Sequence, residues 1–285
     1  MLDERITAAI SRFAVLGESL KHTWSPYIHN SLFRADHRDA VYLPITIPRE
    51  KLASAVDVLR SCFDGFNVTI PYKEMIIPFL DEMDDAAAAC GAVNTVEVRD
   101  GRMIGHITDG LGMISALQKG GIQTEGVCAL ILGGGCAARV AGYEFLRRGG
   151  DVTFAVRNLD KGKRLAQELS GALPDARGRV HACLLEGIAG GYDVLINCTP
   201  VGMYPNTDST PVSESVVRSC KAVFDAVYNP RETLLLSMAR KHGLVCVEGL
   251  GMLFDQAVEA QRFWFGSVAS AEDQRAIYQE LCNRL

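Results

Sequence analysis

The middle of the chain alternates uninterrupted apolar runs with amphipathic stretches. Val127–Leu132, Asp151–Val156, Arg179–Leu184, Tyr192–Asn197, Ala222–Val227 and Leu244–Val247 read as short strands, and helix-period segments fall between them at Ala137–Arg148, Asp160–Leu169 and Thr233–Lys241. Strands apolar along their whole length, each leading into a helix, predict a parallel sheet covered on both faces. The first hundred residues alternate as well, with strands near Phe13–Leu16, Val41–Ile45 and Phe66–Ile70 and helices at Pro26–Arg34 and Glu50–Leu59. Val93–Arg99 and Arg102–Ile107 flank Asp100-Gly101. That pair tolerates the positive φ angles of a tight turn, so a hairpin is expected.

These patterns give two α/β units with a boundary near Asp109. The helical segments after Gly249 have no strand of their own to cover and are expected to pack back on the first unit. The predicted organisation is therefore residues 1–108 plus 249–285 as one domain and 109–248 as the other.

Composition narrows the function. The chain has 285 residues, 48% of them hydrophobic and 22% charged, enough to bury two cores. A formal charge of −5 argues against nucleic acid or an anionic membrane as partner, because both demand a basic face. The opening MLDERITAAI lacks the basic-then-apolar order of a secretion signal, and no apolar run approaches the ~20 residues of a membrane span. Nine cysteines without a CxxC pair read as reduced thiols, and six histidines without HxH or HExxH spacing give no metal site. A cytoplasmic protein without metal is expected, as a monomer or homodimer.

Gly133-Gly134-Gly135-Cys136-Ala137-Ala138 fits GxGxxA between a strand and a helix. Glycines are needed there because side chains would keep a pyrophosphate from the backbone N–H groups and from the positive end of the next helix. The strand–turn–helix–strand context makes this a Rossmann-like dinucleotide site. At the tip of the second strand an NAD enzyme usually carries an acid. This chain has Arg157-Asn158, followed by Lys161, Lys163 and Arg164. A guanidinium can grip a 2′-phosphate with charge-assisted bonds, so NADP is expected and NAD is the alternative. Asp160 within the same stretch fits the competing picture of a solvated helix start.

Lys73, just past Phe66–Pro71, and the pairs Asn94-Thr95 and Thr108-Asp109 mean little one at a time. Together they resemble the shikimate dehydrogenase family along nearly the whole chain. His22–Asn30 is similar to that family's HSxSPxxHN, Asn67–Glu74 to NVTxPxKE, Ala92–Thr95 to AVNT, Thr108-Asp109-Gly110 to the end of NTDG, Asn197–Met203 to NxTPxGM and Gly249–Gln256 to GxxMLxxQ. The resemblance implies that Lys73 and Asp109 transfer the proton at the ring oxygen while hydride passes between cofactor and ring. It implies that Thr23 and Ser25 hold the substrate carboxylate, that Asn94, Thr69 and Gln256 hold ring hydroxyls, and that Tyr228 positions the ring. Thr199 and Gly249 join the cofactor set with Gly133, Gly134, Gly135, Cys136, Ala137, Arg157, Asn158 and Lys161.

The sequence departs from the family pattern at Thr23, where serine is expected, at Trp24, where smaller or basic residues are common, and at Ile107, which replaces an asparagine before Thr108-Asp109. Asn158 stands where threonine is common. The expected activity is NADPH-dependent reduction of 3-dehydroshikimate to shikimate. The alternatives are a quinate or quinate/shikimate dehydrogenase, motivated by Thr23 and Ile107, and a non-catalytic sensor of shikimate-like acids. The sensor conflicts with the retained Lys73 and Asp109, since sensing needs no proton donor.

Overall fold

The computed structural model describes residues 7–21 and 23–284. His22, the first residue of the segment that opens the resemblance, lies outside the described residues. The chain forms two compact units, residues 1–108 with 256–285 and residues 109–255.

The first unit begins with β1 (Ser11–Gly17), α1 (Ser25–Ala35), β2 (Ala40–Thr46), α2 (Leu52–Cys62), β3 (Gly65–Val68), α3 (Tyr72–Met75), β4 (Glu82–Met83), α4 (Asp85–Cys90), β5 (Thr95–Arg99) and β6 (Arg102–His106). Its six strands run in the order β2-β1-β3-β5-β6-β4. β1 pairs in parallel with β2 and β3, whereas β5 lies antiparallel to both β3 and β6. The hairpin forms at Asp100-Gly101, where both φ angles are positive, 52° and 74°. The strand expected to run to Ile70 stops at Val68, because Tyr72 N–H donates to Thr69 C=O at 2.7 Å and turns the chain. Two elements that hydrophobic periodicity does not reveal follow this turn, α3 and α4. Alanine-rich α4 is set by its caps: the Asp84 carboxylate accepts from Ala87 N–H, and Gly91 takes the left-handed conformation.

The second unit contains α5 (Asp109–Lys119), β7 (Cys128–Leu132), α6 (Cys136–Arg147), β8 (Asp151–Val156), α7 (Leu159–Ala172), β9 (Val180–Leu184), β10 (Val194–Asn197), α8 (Glu214–Arg218), β11 (Ala222–Asp225), α9 (Leu234–Lys241) and β12 (Val245–Glu248). All six strands are parallel, in the order β12-β11-β10-β7-β8-β9. Numbered within the unit and read from the β9 edge this is 3-2-1-4-5-6, the doubly wound order in which ligands bind outside the carboxyl ends of the strands at the reversal between β7 and β10. Leu130, Leu132, Leu195 and Val223 supply one face of the core, closed by Leu235, Leu236 and Ala239 of α9.

Two helices complete the chain, α10 (Gly249–Phe265) and α11 (Ala271–Arg284). The return to the first unit comes between Asp255 and Gln256, inside α10, rather than at residue 249. The physical reason is that the first two turns of α10 are bound to the second unit. A Cβ on Gly249 would sit 2.4 Å from the Ala226 carbonyl oxygen, and Asp255 pairs with Lys119 of α5 at 2.6 Å. Beyond Gln256 the helix serves the first unit: Trp264 stacks near Phe13 at 4.5 Å and donates to Val96 C=O.

Candidate active site

In the first unit two of the expected substrate residues, Asn94 and Gln256, belong to a buried polar cluster. Asn94, just before β5, and Thr108, just after β6, meet because Asn94 N–H donates to His106 C=O at 3.0 Å. The Asn94 side-chain oxygen accepts from Thr108 N–H at 2.7 Å, and its amide donates to Thr108 Oγ1 at 3.0 Å and Gln256 Oε1 at 3.4 Å. The Thr95 and Thr108 hydroxyls lie 3.1 Å apart, and Asn67 of β3 donates to Thr95 Oγ1 and to the Asn94 carbonyl. Tyr42 in turn donates to Asn67 Oδ1 at 2.6 Å. These bonds orient the Asn94 amide with its NH2 toward Gln256. Asn67, Thr95 and Thr108 are not among the site residues expected from the sequence. The available signal is an asparagine inside the otherwise apolar strand GFNV, since a fully buried polar side chain must be satisfied.

Lys73 lies in α3, and its carbonyl accepts from Val93 N–H at 2.8 Å, which ties this turn to the segment that carries Asn94. Thr69 sits in the turn before it, with its N–H on Leu16 C=O. Thr23 Oγ1 accepts from Ser25 N–H and donates to Ser25 Oγ, both at 3.3 Å, at the start of α1. Two hydroxyls at the positive end of an 11-residue helix suit a carboxylate. Behind them Asn30 accepts from Tyr42 N–H and donates to Tyr42 C=O, each at 2.9 Å, pinning α1 to β2. His29 is fully buried, stacked on Tyr42 with ring centroids 4.1 Å apart, and burial lowers its pKa to about 3, against the upward pull of a hydrogen bond to Asn67. Ile107 is buried, so the position where the family pattern has asparagine is an apolar contact.

The second unit carries a groove of about 630 Å3 at the carboxyl ends of its strands. Its walls are Gly133, Gly134 and Gly135 after β7, Arg157, Asn158 and Lys161 after β8, and Cys198, Thr199, Pro200 and Val201 after β10, with Ala155, Val156, Leu185 and Pro211 completing it. Gly133 has φ +110°, and a Cβ there would lie 3.2 Å from Thr199 Cγ2, so this position excludes side chains; around Gly135 there is open space. Ala138, the last residue of the motif, is buried against the core. Arg157 and Lys161 are exposed and make no ion pair among the described residues. The Asn158 side chain accepts from Lys161 N–H and caps α7.

Seven of the ten expected cofactor residues thus share one groove. Cys136 and Ala137 open α6 without lining it, and Gly249 lies packed beneath Ala226. Leu185 and Pro211 come from connections that carry no motif. Asp109 is the buried first residue of α5, and Tyr228 is partly buried after β11 with burial pushing its phenol up. Among the described residues no cluster of histidine, cysteine or acidic side chains could hold a metal, and no helix is long and apolar enough to cross a membrane.

A family model described as the shikimate dehydrogenase substrate binding domain matches residues 15–96. The chain is similar to a shikimate dehydrogenase (NADP(+)) of Rubrobacter xylanophilus, 40% identical over 269 residues covering 92% of this chain and 93% of the relative. Among solved structures it is similar to a shikimate dehydrogenase in complex with NADP+, with TM-score 0.89, 33% identity and 96% of each chain covered. A shikimate 5-dehydrogenase from Thermus thermophilus in complex with NADP(H) and shikimate gives TM-score 0.85 and 31% identity, covering 95% of this chain and 99% of that one.

Proposed function

The chain belongs to the shikimate dehydrogenase family, and from this we propose that it is an oxidoreductase that interconverts 3-dehydroshikimate and shikimate with NADP. The reaction serves chorismate and aromatic amino-acid biosynthesis. The observation that carries this reading is the groove in which the glycine loop, Arg157, Lys161 and the Thr199 turn converge. Its glycine walls leave room for a pyrophosphate, and its two exposed cations suit a 2′-phosphate. The relatives named above carry NADP and shikimate in their own names, which favours shikimate over quinate.

When bound, NADPH supplies the hydride that reduces the ring carbonyl. The remaining chemistry belongs to the chain. Lys73, as an ammonium, donates a proton to the oxygen on which negative charge develops, and in the oxidative direction takes it back. Asp109, in the first turn of α5, is a carboxylate where a helix favours negative charge. It orients the Lys73 ammonium toward the ring. Thr23 and Ser25 receive the carboxylate at the start of α1. Asn94, Thr69 and Gln256 hold ring hydroxyls, and a ligand lacking those hydroxyls leaves buried groups unpaired. Tyr228 borders the ring. The methyl group of Thr23 and the apolar Ile107 narrow the site without altering this chemistry. All nine cysteines are free thiols, the state maintained in a reducing cytoplasm.

Replacing Lys73 by alanine tests the assignment. Turnover should fall by about 10²–10⁴-fold, the range of general acid–base catalysis, with NADP affinity retained. Full activity in Lys73→Ala would remove Lys73 as the proton donor.

A further inference from the structure

The Thr199 turn forms one wall of the groove, and the side chains that fix it lie behind the wall. Asn197 ends β10 and Asp225 ends β11, paired in register and both fully buried. The Asn197 side-chain oxygen accepts from Thr199 N–H at 3.0 Å and from Thr199 Oγ1 at 2.7 Å. Its NH2 donates to Asp225 Oδ1 at 2.9 Å. Asp225 also accepts from Val227 N–H at 3.0 Å, next to Tyr228, and from Thr233 Oγ1 at 2.7 Å at the cap of α9. Among the described residues no cation pairs with it, and burial pushes its carboxyl upward against the pull of these three donors.

A carboxylate that only accepts leaves the Asn197 amide one orientation, with NH2 toward Asp225 and oxygen toward Thr199. Reversing that amide would set a donor against Thr199 N–H and an oxygen against the carboxylate. A buried anion without a counter-ion is a costly way to staple two strands that already share a ladder. Its effect reaches further, to the turn facing Gly133.

We propose that Asn197 and Asp225 are a positioning couple that sets the Thr199 turn against the glycine loop and so controls NADP affinity. The proposal rests on the groove being the NADP site. The titratable groups around the couple are Cys198, whose thiol is pushed up by burial, then by Asp225 and by Cys136, and Glu248 on β12, which Arg231 engages at 2.6 Å.

The test uses three variants of the full chain, with NADP alone as the probe in calorimetry. In Asn197→Asp two buried carboxylates face each other. At low pH they share a proton, preserve the bond and bind NADP like the parent. As pH rises and that proton leaves, affinity should fall by about tenfold or more, the size of one lost charged hydrogen bond. Adding Asp225→Asn to Asn197→Asp removes one of the two facing carboxylates, so the double variant should lose the pH dependence, while its NADP affinity recovers only in part because the NH2 turned toward position 197 also meets Val227 N–H, which shared that oxygen in the parent. Asn197→Ser, which removes the acceptor without adding charge, should weaken NADP binding by about fivefold or more at every pH, and it carries the test if Asn197→Asp does not fold. If the folded variants bind NADP like the parent across the pH range, the couple is a staple and the proposal is overturned. A parent chain that binds no NADP would instead refute the groove assignment, and NADP binding without shikimate turnover would refute only the substrate.

Discussion

Replacing Asn94 by leucine, which has nearly the same shape, removes one polar side chain from the buried cluster. The buried Thr108 N–H loses its acceptor at 2.7 Å. The Thr95 and Thr108 hydroxyls, 3.1 Å apart, can still satisfy each other, and Asn67 keeps its bond to Thr95. The contact to Gln256, at 3.4 Å, is long and contributes little. The structural cost is therefore one orphaned backbone donor, about 1–3 kcal/mol. At about 2–4 °C per kcal/mol for a unit of this size, the melting temperature should drop by about 2–12 °C. The functional cost is separate. In the proposed site the Asn94 amide holds a ring hydroxyl, and losing it would leave that hydroxyl buried and unpaired. kcat/KM for shikimate should fall by more than about 100-fold, with KM for NADP within about twofold. Steady-state kinetics well below the melting transition separate the two effects. If Asn94→Leu melts lower yet keeps the parent kcat/KM for shikimate, Asn94 holds the fold and does not touch the substrate.

Three further outcomes follow from the same geometry. His29 has its pKa lowered from 6.5 to about 3, so its contribution to stability is complete above pH 6.5 and is lost as pH falls toward 3. Between pH 7 and 5 this amounts to about 2 kcal/mol, at about 1.4 kcal/mol per unit below 6.5. Urea titrations should show that loss in the parent and not in His29→Phe, which keeps a ring against Tyr42 and cannot be protonated; equal pH dependence in both would refute the assignment. Changing Arg157 and Lys161 together to serine should raise KM for NADP by about tenfold to 100-fold, as expected for lost charge-assisted bonds, and leave KM for NAD nearly unchanged. A parallel rise with both cofactors would place the 2′-phosphate elsewhere. Gly133→Ala forces a side chain to φ +110° beside Thr199, costing about 1–3 kcal/mol of strain. NADP affinity should weaken by about fivefold to 100-fold if that strain is relieved by moving the loop; an unchanged affinity would mean the loop absorbs it.

The second unit is easy to read because the cores of its strands are largely apolar and its motifs sit at strand ends. The hairpin at Asp100-Gly101 is legible for a local reason, two residues tolerant of positive φ. Legibility fails where long-range packing decides. Gly249 belongs to a family segment, yet its lack of a side chain is explained by the Ala226 carbonyl beneath it, a contact no local pattern encodes. The crossing within α10 falls at Gln256 rather than Gly249 because the Lys119–Asp255 pair, which holds the start of that helix, joins positions far apart in sequence. α4 is hidden because four consecutive alanines carry no amphipathic period, and its limits are set by Asp84 and Gly91 instead. Asn197 and Asp225 are visible as residues, but their joint role depends on strand register, which emerges only once β10 and β11 are aligned.

The most direct test of the central claim is a steady-state comparison of shikimate and quinate, each with NADP and with NAD, followed by NADPH or NADH absorbance. The account predicts that shikimate with NADP gives by far the highest kcat/KM, and that this activity is lost in Lys73→Ala. Preference for quinate with NAD, or turnover that survives loss of the Lys73 ammonium, would contradict it.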